Sequence, residues 1–148
     1  MNAVARGGRI AASPHEGHRA PFGPFSMNSI ADSLDRVSGL DTAEGLHMMA
    51  GRPQLYRAAL NTFARHYAAG LPGGPDAELT ALRAQAHGIS GAAGAIGARQ
   101  IVALTEEIQS EIRIAGRSDR LAAIACQLDT LLARLSQDIQ AALDTEQA

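Results

Sequence analysis

Apolar residues at Leu79, Leu82, Ala86, Ile89, Ala93 and Ile96 advance in alternating steps of three and four, the spacing of one buried face of an α-helix. Asp76 opens this segment and Gly97 is placed to end it. Ile101, Leu104, Ile108, Ile112 and Ala115 repeat the spacing up to Gly116. A final helix is predicted behind Ser118 as N-cap, burying Leu121, Ile124, Leu128, Leu131, Leu135, Ile139 and Leu143. Upstream, Pro53 suits a first helical turn, and Leu55, Tyr56, Ala59, Leu60, Phe63 and Tyr67 mark one face of a helix stopped by Gly70. The turn "LPGGP" follows it. Before Pro53, "NSIADSLDRVSGLDTAEGLHMMAG" predicts one or two short helices, the second capped by Asp41 with Glu44 in a capping-box position and ended by Gly51. Short connections favour antiparallel neighbours, so the expected fold is all-α: an antiparallel four-helix bundle with a short N-terminal helical extension. Residues 1–26 show no helical period and are rich in Gly, Pro, Ala and His; they are expected to form a disordered tail or linker ahead of a domain at 27–148.

Composition narrows the picture. Apolar residues make up 46% of the chain and aromatic ones 3%, so the core must be built from Leu, Ile and Ala, which disfavours an all-β sandwich. A formal charge of -2 offers no basic field for nucleic acid. All 13 basic residues are arginine and lysine is absent. The single cysteine, Cys126, excludes an internal disulfide and a thiolate zinc cluster and is assigned to core packing. No secretory h-region and no membrane-spanning run is present, so no direct membrane contact is expected and the location is read as cytoplasmic, unless the chain is a piece of a larger membrane receptor.

The stretch "AHGISGAAGAIGA", residues 86–98, carries four glycines inside and at the end of a predicted helix. Each interior glycine costs about 1 kcal/mol relative to alanine, so the segment gives up about 2–3 kcal/mol of intrinsic propensity. At ~100° per residue His87 falls roughly 130° from the apolar stripe and faces solvent. Arg83 and Gly91 lie four residues to either side of it, while Ser90 and Gly94 lie three and seven residues beyond it. The imidazole thus stands on a shelf of small residues, which would let the backbone or cleft of another macromolecule reach the ring. Helix packing is the competing explanation for small residues, and it suits Ala92 and Ala93 beside the stripe better than Gly91 and Gly94.

These residues resemble the signature of histidine-containing phosphotransfer (HPt) domains: His, two variable positions, usually Lys, then Gly, a small-residue run, an apolar residue and Gly. The resemblance runs back through "GLDTAEGLHMMAGRPQLYRAALNTFARHY" and forward into the next helix, covering residues 37–115 by motif and the last helix by pattern. It implies that His87 is the phosphoacceptor, that Gly91 is its small neighbour and that Gly97 ends the active helix. It further implies partners in response-regulator receiver domains and a hybrid sensor kinase. Ser90 stands where the family usually has lysine, and a hydroxyl donates one hydrogen bond to a phosphoryl group without neutralising it. Any replacement cation must be arginine, and Arg83 is the candidate.

Neutral imidazole can attack an aspartyl phosphate near pH 7 with metal and cationic groups supplied by the receiver, so no cofactor and no metal site are expected in this chain. No P-loop is present, hence no ATP-dependent kinase activity of its own is expected. Ser90 leaves a second reading open, a non-catalytic receiver-binding helical module without efficient transfer. A structural bundle is a third, and a hydrolase built on His87 and Ser90 lacks an orienting group and an oxyanion site. A bundle with its apolar faces covered is expected to be a monomer.

Overall fold

A computed structural model describes residues 34–147; the expected tail at 1–26 and the first residues of the expected domain lie outside them. Five α-helices follow one another, with no strand among the described residues: α1 (Thr42–Met48), α2 (Pro53–His66), α3 (Leu79–Ile96), α4 (Arg99–Ala115) and α5 (Asp119–Gln147). The last four form the bundle, α3 and α4 joined by the tightest turn and α5 packing on both α4 and α2. Its core is the periodic set: Tyr56, Leu60 and Phe63 of α2, Leu82, Ala86, Ile89, Ala93 and Ile96 of α3, Ile101, Leu104 and Ile108 of α4, and Leu121, Leu128, Leu135 and Ile139 of α5 are all buried. Arg57 of α2 bonds Glu146 near the end of α5 at 3.1 Å, fastening the two outer helices.

Several expectations change in detail; Ala115, placed on the α4 face, is exposed, and Ala59, Leu79 and Ile112 are half-buried. On α5 it is Leu132 that is fully buried while Leu131 is half-buried, because adjacent leucines offered both registers and the step of four from Leu128 keeps pace with 3.6 residues per turn. Leu55, placed on the α2 face, is 46% exposed. Cys126 is exposed rather than packed, since two residues before Leu128 put it on the far side of α5. Asp76, read as opening the α3 segment, lies ahead of the helix, which starts at Leu79 behind Glu78 with no side-chain cap bond. By contrast, Ser118 Oγ accepts from Leu121 N at 3.0 Å as expected of an N-cap.

The end of α3 is clamped from two sides. Asp41 Oδ1 accepts from Glu44 N at 3.0 Å, but the capping box is only half made, because the Glu44 carboxylate turns to Arg99 at 3.4 Å. Asp41 N instead donates to Gly97 O at 2.9 Å, laying α1 across the α3–α4 turn. Gly45 of α1 has no room for a side chain, as a Cβ there would meet the Tyr56 ring and, at 2.7 Å, the Ile96 carbonyl oxygen. The buried Tyr56 hydroxyl donates to that same carbonyl at 2.9 Å.

Burial first, then the Asp41 and Asp35 carboxylates, raise the Tyr56 hydroxyl pKa well above the ordinary tyrosine range. Tyr56→Phe is therefore expected to cost about 1–2 kcal/mol in urea unfolding at pH 7, by orphaning the Ile96 acceptor. The unfolded chain releases the tyrosine proton near pH 10 and the folded chain only later, so stability falls as pH rises past about 10. That alkaline fall should be shallower in the phenylalanine variant.

Candidate functional site

The glycines of α3 divide by what surrounds them. Gly97 takes a left-handed conformation, φ 84°, and the helix ends with Ala98 N donating to Ala93 O at 2.9 Å and Gly97 N to Gly94 O at 3.3 Å. Gly88 and Gly91 differ: a Cβ built on either meets nothing within 4 Å. At Gly94 the added atom would touch Val102 at 4.0 Å, an ordinary contact. Internal packing therefore accounts for Gly97 and leaves Gly88 and Gly91 without a reason inside the chain.

His87 directly precedes Gly88, lies one turn before Gly91, and is exposed, as are Arg83 and Gly91, while Ser90 and Gly94 are half-buried. His87 and Arg83 make no hydrogen bond or ion pair among the described residues. Of the other described histidines, His47 lies at the end of α1, and His66 ends α2 with its ring edge-on to Tyr67 at 4.7 Å between centroids.

The Gly94–Val102 approach places the His87 side of α3 toward α4. A second approach, Leu79 Cδ1 at 3.9 Å from a Cβ on Gly116, fixes the antiparallel register at the far end of the pair. Counting inward from the two anchors, which agree to within one residue, sets Gln109 level with His87, Glu106 level with Ser90 and Arg113 level with Arg83. These α4 residues were not singled out from sequence, because only the packed register brings them beside α3. On the opposite flank of α3, Ala92 and Ala95 face Ala58, Thr62 and His66 of α2 across an open groove of about 490 Å³. Small residues thus run along both the top and one flank of the helix.

No group of three or more His, Cys, Asp or Glu able to hold a metal occurs among the described residues, and no helix there is long and apolar enough to cross a membrane. The family model described as Hpt domain matches residues 47–138. The chain belongs to the Hpt domain family. The match takes in all of α2, α3 and α4 and most of α5. No curated protein and no solved structure matches the chain. An Hpt domain is a histidine phosphotransfer module of phosphorelays and interacts with receiver domains. In this Hpt domain the histidine placed mid-helix among open glycines is His87.

Proposed function

We propose that this Hpt domain relays a phosphoryl group between receiver-domain aspartates, with His87 as the phosphoacceptor, and that the donor receiver belongs to a hybrid sensor kinase. The observation that carries the reading is the pair of open glycines beside an exposed, unengaged imidazole: they lower helix propensity and fill no internal contact, so their use lies in what approaches from outside. The unprotonated ring nitrogen attacks phosphorus, the bond from phosphorus to the aspartate oxygen breaks, and its electron pair returns to the carboxylate. No proton has to leave the ring before attack, so the domain needs no general base. Transfer then depends on in-line placement and on charge, with the receiver bringing its own metal ion. Gly91 and Gly94 admit the receiver cleft to the ring, and Ser90 offers a hydroxyl to the phosphoryl oxygens.

The test is to mix the protein with a phosphorylated receiver and follow the label. Acid-labile label mapped to His87 supports the relay. Receiver binding with no label would instead support the non-catalytic module, with Ser90 in the lysine's place as its cause.

Docking can be tested separately at Gly91. Gly91→Ala is expected to stabilise the isolated domain by about 0.5–1 kcal/mol, since the methyl group enters open space and the backbone loses freedom only in the unfolded state. Gly91→Glu should be equally well folded yet bind the receiver about tenfold or more weakly, through bulk and through repulsion from the acidic phosphoacceptor cleft. Titration of receiver binding alongside thermal unfolding reads both, and unchanged affinity for the glutamate variant would remove Gly91 from the interface.

A further inference from the structure

We infer that Arg113 of α4 supplies the principal positive charge to a phosphoryl group on His87, in the role that the family's usual lysine would fill from the position of Ser90. The inference rests on the relay reading above and concerns which side chain completes its site.

Register and side-chain direction carry it together. Arg83 and Arg113 sit level with each other on facing helices, each one turn, about 6 Å along the axis, from the level of His87 and Gln109. Side chains on a helix tilt toward its N-terminus. Because α3 and α4 run in opposite directions, the tilt separates the two arginines. On α3 it carries Arg83 back toward Leu79, away from the imidazole. On α4 it carries Arg113 toward Gln109, the residue level with His87. Gln109 itself shows the direction, since its Nε2 donates to Thr105 O at 3.3 Å, one turn nearer the α4 N-terminus. The same rule leans Glu106, the carboxylate level with Ser90, away from His87 toward Val102.

Arg113 is also free to serve. It is exposed and has no hydrogen bond or ion pair among the described residues. The neighbouring carboxylates of α4 are otherwise engaged: Glu107 and Glu111 both pair with Arg120 of α5, each at 3.5 Å. Arg117, one turn beyond, is held by Ala77 O at 2.6 Å. One turn is a span that an extended arginine covers, and a guanidinium presents two parallel donors to two phosphoryl oxygens where an ammonium presents a point charge. A hydroxyl at position 90 is then tolerable, because the neutralising charge arrives from across the valley.

The full chain is equilibrated with a phosphorylated receiver, and the ratio of phosphohistidine to phosphoaspartate is measured for the wild type, Arg113→Gln, Arg113→Lys and Arg83→Gln. Arg113→Gln is expected to shift the ratio away from histidine by roughly fivefold to tenfold, an effect that shrinks as salt is raised. Arg113→Lys should recover a large part of it, and Arg83→Gln should change it by less than about twofold. Thermal unfolding should be the same for all four, which separates charge from structure. Wild-type behaviour of Arg113→Gln, or a larger effect from Arg83→Gln, overturns the assignment while leaving the relay standing. A wild type that takes no label overturns both.

Discussion

His87→Gln is expected to abolish phosphoryl uptake from a phosphorylated receiver while leaving the domain folded and still able to bind that receiver. The amide matches much of the imidazole's size and polarity but has no nucleophilic lone pair, so what is lost is the bond-forming atom rather than the surface. Stability should stay within about 0.5 kcal/mol of wild type, because the ring is exposed and makes no bond whose loss would be felt. Acid-labile label should fall to background, a drop of about a hundredfold or more against a wild type that turns over at all. Retained affinity is the control that separates a missing nucleophile from a failed interface. Persistent label in the variant would move the acceptor to another histidine, with His66 at the edge of the α2–α3 groove the first to test.

Gly97→Ala should be strongly destabilising, more so than any other glycine-to-alanine change on α3. Two costs coincide there. A left-handed backbone disfavours any Cβ by about 1–2 kcal/mol, and this Cβ would run into the Asp41 carbonyl oxygen, which belongs to backbone and cannot swing aside. Together they should cost about 3–4 kcal/mol, read as a lowered urea midpoint with an unchanged slope if α1 stays docked. A reduced slope would mean that α1 peels from the α3–α4 turn, since Asp41 N bonds to Gly97 O there. A cost under about 1 kcal/mol would show that the turn relaxes freely, contrary to the clamp described here.

The helices of the bundle were legible because each spends its apolar residues on one face, and of the residues that steps of three and four select on α3 all but the half-buried Leu79 form its buried set. Ambiguity entered where the chain offered two adjacent candidates, as at Leu131 and Leu132, or where a helix starts without a side-chain cap to mark its first residue, as after Asp76. Cys126 was assigned from the habits of its residue type, and its place on the α5 wheel decided otherwise. His87, Arg83, Ser90, Gly91 and Gly94 could be grouped because all lie on one helix and local periodicity relates them. Gln109, Glu106 and Arg113 could not, since their relation to His87 passes through a turn whose register is fixed by Gly94 against Val102 and by Leu79 against Gly116. Absence of lysine did carry information across that gap, by restricting the charge donor to arginine.

The open space around Gly88 and Gly91 means that fold and partner choice are written at different addresses in this domain. Residues that hold the bundle together, such as Gly45, Tyr56 and Gly97, are clustered at one end of α3, about 13–15 Å along the helix axis from the imidazole. Substitutions at positions 88 and 91 are answerable only to the molecule that docks there. A library of helix-favouring residues at those two sites would melt at or above the wild-type temperature while sorting by receiver, so the domain can be re-addressed to a new partner without being re-engineered to fold.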